Sequence, residues 1–522
     1  MKKLQLLFGF LLTCCTVAAQ DESLKYSGII NEASLRTHLT VIAGAEMEGR
    51  ETGTAGERRA AAYIEKFFDS AGIKKTQPHN SYRQFFPLVK DSATKMVLRQ
   101  NKKDLAYQTE FLILAAGNDN GKFESEVLVF AGYGIESENY NDYANIDVKG
   151  KTVLIFLGEP KKNGIFLVTG TDKSGEWTYP GLEKKLELAY AKGAAGALVV
   201  SPTVSEFTQR YAESTLKTAL TFHREKKNKR VNYALISHNL AKDLMSDNSI
   251  LQNAKDLAPF KAKYSSKKLK IEFEYSEKRE TVQSSNVLGI IEGSDKKDEY
   301  VFITAHYDHL GIRNGNIYYG ADDDGSGTVA IMHLGAAFAK AREEGRGPRR
   351  TVVVMAFSGE EKGLWGSEYY SENPVFPLEK TSVDLNIDMI GRIDTERTSA
   401  DSNNYVYVVG HDKISTDLPR ISETMNNQYT QLVFDYKFDD PKDPNRIYFR
   451  SDHYHFARKG VPVLFFYDGM LKSDYHKPTD TVDKINWKLY EKRAQMIFHT
   501  AWNMANREEM LVRDLPIPNV KR

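Results

Sequence analysis

From residue 285 onward, short apolar runs alternate with stretches of helical spacing. In order they are "NVLGIIEG", "EYVFITAHYD", a helix over 327–342, "RTVVVMAF", a helix from Leu364, "SVDLNIDMIG", "NYVYVVG", a helix near 413–427, "VPVLFFYDG" and an amphipathic helix over 488–507. That alternation predicts an α/β domain with a mixed, mostly parallel sheet flanked by helices. A run such as 351–357, apolar at nearly every position, predicts a strand buried on both faces. In such a sheet ligand groups belong at the carboxyl ends of strands.

The chain has 522 residues, too many for one ordinary core, which implies at least two domains. Upstream, 34–42 and 55–68 carry helical spacing, joined by the loop "EMEGRETGTAG". From about 125 to 205 the pattern changes to short strands and turns with one helix, "SEVLVFAGYGI", "GKTVLIFLGEP", 182–192 and "GAAGALVVSP". The polar, lysine-rich 205–280 stretch reads as a return path with a strand near 268–275. The expected organisation is therefore a signal segment at 1–19, an N-terminal part of the main domain at 20–120, a β-rich insert at 121–265, and the rest of the main domain at 266–522.

Residues 1–19 read as a secretory signal, with Lys2 and Lys3, an apolar 4–12 stretch and Val17-Ala18-Ala19 as the cleavage site. This predicts an exported protein, periplasmic or secreted. A lipoprotein reading through Cys14 would need a small residue before it, and Thr13 fits that poorly. Both cysteines, Cys14 and Cys15, fall inside the segment, so the exported chain is expected to hold no disulfide. No other stretch reaches the ~18 apolar residues of a membrane span. Lys plus Arg number 71 against 70 Asp plus Glu, a balance that argues against nucleic acid or an anionic membrane as the main partner.

The predicted strands end in acids and histidines. His306-Tyr307-Asp308 follows "VFITA", Glu360-Glu361 follows "VVVMAFSG", Asp388 follows "VDLNI", and Ser473-Asp474-Tyr475-His476 lies in the loop after "VPVLFFYDG". Asp322-Asp323-Asp324 occupies the glycine-rich turn "GADDDGSG" before a helix. Taken singly, each has a plain reading as a surface group, a helix cap or a solvated loop acid. Gathered at one sheet edge they would be buried carboxylates, costly without partners. Two histidines with three or more carboxylates and no thiolate suit Zn²⁺ first, with Mn²⁺ or Co²⁺ as substitutes. Two ions sharing one carboxylate would leave room for a water between them. One of the paired glutamates would then be a ligand and its neighbour free to take a proton.

The motifs "AHYDHLG", "GADDDGSG", "SGEEKGLWGS", "NIDMIGR" and "YHKPTDT", in that order, with "RSDHYHF" before the last, resemble the M28 family of zinc peptidases. The resemblance implies a zinc-exopeptidase fold and two Zn²⁺ per chain. Its ligands would be His306 and Asp388 at one position, Glu361 and His476 at the other, and Asp323 bridging them. It further implies Glu360 as general base, Tyr475 as a group polarising the substrate carbonyl, Asp308 as the acceptor orienting His306, and a cis bond between Asp323 and Asp324. The insert, from "FAGYGI", "YANIDVKGKTVLIF" and "KGAAGALVV", resembles a protease-associated (PA) domain.

The expected function is that of an exported metallo-exopeptidase, an aminopeptidase acting on peptides, with Glu360 deprotonating a water held between the metals. A carboxypeptidase or dipeptidase on the same scaffold would need a basic residue near the pocket, and Arg450 is a candidate, either for a substrate carboxylate or as a partner of Asp452. An inactive peptidase-fold binding protein would be expected to lack ligands or the base, and none is missing here. His333 reads as a packing or surface residue, and His309 and His453 as wall residues or supports of the ligands.

Overall fold

The computed structural model describes residues 22–77, 80–114, 117–178, 181–201, 204, 220–222, 229–247, 266–398, 401 and 403–518. The expected signal segment, both cysteines and most of the polar stretch at 205–265 lie outside these residues. The chain divides into two compact units, Met1–Pro87 with Gln283–Arg522, and Leu88–Val282. The smaller unit is wider than the insert expected at 121–265. The reason is continuity of the backbone, since Arg83–Gln100 and Ser266–Ile291 are each one unbroken strand with no linker composition at the boundary.

After a helical stretch at 22–27, the larger unit carries helices α1 (Glu32–Ile42) and α2 (Ala55–Ser70). Asn31 caps α1, its side chain accepting from Ser34 N while the Ser34 hydroxyl accepts from Asn31 N. Thr54 caps α2 by accepting from Glu57 N. Each helix buries an apolar stripe, Leu35, Leu39 and Ile42 on α1 and Ala60, Ala61, Ile64 and Phe68 on α2.

In the smaller unit, β1 (Arg83–Gln100) is followed by β2 (Gly121–Phe130), β3 (Thr152–Phe156), α3 (Leu182–Ala191), β4 (Gly196–Val200), β5 (Tyr233–Ile236), α4 (His238–Met245) and β6 (Ser266–Ile291). Strands β2, β3, β4 and β5 pair in parallel, and β6 lies antiparallel to β2. Among the described residues, α4 is a helix in the polar 205–280 stretch, where the sequence pattern marked a strand alone. Ser237 caps α4 by accepting from Leu240 N.

The larger unit resumes with the last part of β6 and continues with β7 (Lys296–His306), α5 (Gly327–Glu343), β8 (Arg350–Phe357), α6 (Trp365–Glu372), β9 (Thr381–Ile387), β10 (Tyr405–Val409), α7 (Asp417–Tyr429), β11 (Val433–Asp435), β12 (Val463–Tyr467) and α8 (Trp487–Asn506). Strands β8, β7, β9 and β12 run parallel to their neighbours, while β6 and β10 pair antiparallel at β8 and β12. This is the mixed, mostly parallel sheet flanked by helices that the alternation predicts. All eight residues of β8 are buried. Val352, Val354 and Ala356 join the core under α2, α5 and α8, and Val353, Met355 and Phe357 join the core under α6. Because four central strands are parallel, their carboxyl ends lie along one edge, with His306 opposite Phe357 and Ile387 opposite Phe466.

His333 of α5 is a packing residue, its ring 5.1 Å from that of His38 on α1 and 5.3 Å from that of Phe67 on α2. Burial, with His38 adding, pushes its pKa down to about 3. Since this lies below the unfolded value of about 6.5, protons bind the unfolded chain preferentially. Stability is then complete above about pH 6.5 and falls as pH drops toward 3, by up to about 1.4 kcal/mol per pH unit from this residue. The His333→Gln variant should therefore lose melting temperature less steeply than wild type between pH 7 and 4 in thermal unfolding, and parallel curves would contradict this.

Candidate metal centre

The sheet edge gathers the residues that the motifs single out. His306 ends β7, Glu360 and Glu361 follow β8 by two residues, and Asp388 follows β9 directly. Asp323 lies in the turn before α5, with a cis bond to Asp324. His306 Nε2 is 3.3 Å from Asp323 Oδ1, 3.6 Å from Asp388 Oδ1 and 3.8 Å from Glu360 Oε2. On the other side, His476 Nε2 is 3.2 Å from Asp323 Oδ2 and 3.0 Å from Glu361 Oε2. Asp323 thus gives one oxygen to each histidine. Glu360 turns toward His306 while its neighbour Glu361 turns toward His476.

The electrostatics of this cluster favour cations. Burial opposes charge on His306, yet the carboxylates of Glu360 and Asp388 outweigh it and hold the imidazole well above its usual range. His476 is likewise raised to about 10, with burial opposed by Asp323 and Glu361. Burial works against ionised Asp323, but its contacts with His306 and His476 hold it well below the ordinary carboxylate range. His306 Nε2 and Asp323 Oδ2 are buried without a hydrogen-bond partner, a state that ordinary polar groups avoid. Oxygen and imidazole donors facing a common point in this way fit divalent metal of the zinc type. His306, Asp323 and Asp388 offer donor atoms within 4.8 Å of one another.

Supports behind the donors hold them by the main chain. His306 Nδ1 lies 3.1 Å from the Asp308 carbonyl oxygen, whereas the Asp308 carboxylate stays 3.6 Å away. Asp308 thus faces His306 as the expected acceptor, through its main-chain carbonyl, while its carboxylate accepts from Thr52 Oγ1 and Glu360 N. Asp324 accepts from Gly327 N and Met389 N on one oxygen and from His306 N on the other, tying the ends of β7 and β9 to the start of α5. A Cβ on Gly327 would fall 2.4 Å from Asp324 Oδ1 and 2.5 Å from Ile387 O, so this close approach requires glycine. Asp480 accepts from Asp322 N and Asp323 N.

Two buried residues of the upstream loop and helix complete the support. Arg50, fully buried, donates to the carbonyls of Tyr307, Ile42, Tyr319 and Gly320. Glu57 accepts from Gly53 N, Ser284 Oγ and Ser358 Oγ. Sequence reasoning missed Arg50, Glu57 and Asp480, and gave Asp324 no role beyond its place in the acidic turn and the cis bond. The "EGRETGTAG" motif at 48–56 was the available signal for Arg50, and Glu57 follows it directly.

Tyr475 stacks on the His476 ring at 3.8 Å and lines a cleft with Asp323, Glu360 and Asp388. Its hydroxyl accepts from Arg450 Nη2 at 2.8 Å, so Arg450 has Tyr475, not Asp452, as its hydrogen-bonding partner here. Met389, Ile447, Phe465, Tyr467 and Leu471 form the apolar wall of the same cleft. His453 lies apart from the donors, stacked on Phe465 with Nε2 2.9 Å from Tyr448 O.

Buried carboxylates and imidazoles at the carboxyl edge of a mixed, mostly parallel α/β sheet define a site of the type that holds divalent metal. Residues 286–501 match the model of Peptidase family M28. A relative named "Probable glutamate carboxypeptidase VP8", from Zea mays, is 31% identical over 119 residues, covering 23% of this chain and 16% of that protein. One named "Probable leucine aminopeptidase", from Arthroderma otae, is 27% identical over 226 residues, covering 42% of this chain and 57% of that protein. The chain thus spans less than two thirds of the length of these relatives. Among solved structures, an aminopeptidase from Aneurinibacillus sp. strain AM-1 is 17% identical, covering 96% of this chain and all of that chain, with a TM-score of 0.49.

An Asp324→Asn substitution would set an amide NH₂ against main-chain N–H donors. Zinc affinity, measured by titration of the metal-free protein, should fall by about 10- to 100-fold, the scale for loss of a ligand-orienting partner. Unchanged affinity would show that Asp324 does not position the donors.

Proposed function

We propose that the chain is an exported zinc exopeptidase of the aminopeptidase type, removing N-terminal residues from peptides. His306, Asp323 and Asp388 would hold one cation, and Asp323, Glu361 and His476 the other. When bound, such cations act as Lewis acids toward a carbonyl and lower the pKa of water. The observation that carries the reading is the division of labour between adjacent glutamates, Glu361 turned onto His476 and Glu360 facing the cleft beside His306.

Glu360 takes a proton from the attacking water and returns it to the leaving amine. Burial, with the nearby Asp388 and Glu361 carboxylates, raises its pKa well above the usual value despite His306, which suits a group that must both accept and release a proton. Arg450 donates to the Tyr475 oxygen, leaving the phenolic hydrogen free to point at a substrate oxygen and stabilise the developing oxyanion. The apolar wall of Met389, Ile447, Phe465 and Leu471 suits an apolar side chain on the residue removed. The relative named as a leucine aminopeptidase agrees with this reading.

Arg450 in the cleft favours one second reading, a carboxypeptidase or dipeptidase whose substrate carboxylate meets the guanidinium, and the relative named as a glutamate carboxypeptidase points the same way. Peptides blocked at one end separate the two. An aminopeptidase ignores an acetylated N-terminus and cleaves a C-terminal amide, and the reverse pattern would favour the carboxypeptidase. Export rests on residues 1–19, and cell fractionation with N-terminal sequencing of the mature chain tests it. The PA resemblance remains our reading of the smaller unit, supported by its parallel β2 to β5 strands.

Glu360→Ala should retain bound zinc and lose about 10²- to 10⁴-fold in turnover, the scale of general acid–base catalysis. Metal analysis alongside steady-state kinetics checks both halves, and a variant with wild-type turnover would remove Glu360 from the mechanism.

A further inference from the structure

His309 belongs to neither donor set assigned above, yet it is fully buried and neither ring nitrogen has a hydrogen-bond partner. Its Nδ1 lies 2.7 Å from Glu361 Oε1 and 3.9 Å from Asp323 Oδ2. An aligned N–H···O pair at 2.7 Å would be a strong hydrogen bond. Glu361 Oε1 is nevertheless left without a partner too, so the two atoms are close but not aimed at each other.

His306 Nε2 has the same character, 3.3 Å from Asp323 Oδ1 and without a partner. Neighbouring donors that aim past one another have a shared target, and a cation is the group that makes such burial tolerable. His309, Asp323 and Glu361 offer donor atoms within 4.8 Å of one another. The imidazole is also given a seat. A Cβ on Gly320, whose φ is +57°, would fall 2.6 Å from His309 Cγ and Cδ2, so glycine leaves the space the ring fills.

We propose that His309 Nδ1 is a further donor to the cation held by Asp323, Glu361 and His476. That position then has four protein residues and is closed, while the position of His306, Asp323 and Asp388 has three and keeps a place for water or substrate. The closed position is the tighter and mainly structural one, and the open position is the exchangeable and catalytic one. This rests on the two-cation reading of the proposed function.

X-ray absorption of the wild-type zinc protein tests this without any variant. Three imidazoles for two zinc ions are expected, and two would overturn the assignment. Titrations of metal-free wild type, His309→Leu and His309→Gln with Zn²⁺ by calorimetry, and with Co²⁺ by visible absorption, give a second readout. Wild type should bind two ions, and in the variants the tighter step should weaken at least about 10- to 100-fold with an altered Co²⁺ spectrum, the weaker step holding. A variant with wild-type melting of its metal-free form and both steps unchanged would overturn the proposal and leave the two-cation reading standing. Wild type binding fewer than two ions would overturn both.

Discussion

The carboxylate of Asp323 is the constraint around which the larger unit is organised. It is buried, and its two oxygens face two histidines from distant parts of the chain, His306 at the end of β7 and His476 in the loop beyond β12. An ionised carboxylate in that position is tolerable when positive charge meets both oxygens. The surrounding acids, Asp388, Glu360 and Glu361, deepen the demand. The histidines answer it by drawing protons, and divalent cations would answer it better, displacing those protons as imidazole becomes a ligand.

Holding that many like charges together requires that the further acids among the supports, Asp324 and Asp480, be met by hydrogen-bond donors. The chain achieves this with main-chain groups. Asp324 and Asp480 take N–H groups of His306, Gly327, Met389, Asp322 and Asp323, and Arg50 takes four carbonyls around the same turn. The Arg50 guanidinium contributes its field among Asp308, Asp323, Asp324 and Asp480 without hydrogen bonding to any of their carboxylates. Its position in the loop before α2 makes the N-terminal helices part of the site's framework.

Much of this was legible in the sequence because strand ends are. Apolar runs such as "VVVMAF" mark where β8 stops, so the acids after it are placed at the sheet edge before any coordinates are known. Parallel order then brings His306, Glu360, Glu361 and Asp388 together. The bonding role of Arg50 was not legible, since donation to main-chain carbonyls leaves no pattern in neighbouring residues, although the glycine-rich loop that carries it stood out. The Asp308 carbonyl, rather than its carboxylate, facing His306 Nδ1 was equally invisible, because backbone acceptors carry no residue identity. The limits of the smaller unit were missed because β1 and β6 continue across them as ordinary strands.

The central claim is that two cations share the Asp323 carboxylate. Anomalous diffraction from crystals of the zinc-loaded protein, collected on both sides of the zinc edge, tests it most directly. The account predicts two anomalous peaks, one beside His306 and Asp388 and the other beside Glu361 and His476, with Asp323 between them. A single peak, or peaks elsewhere on the surface with Asp323 bare, would contradict it.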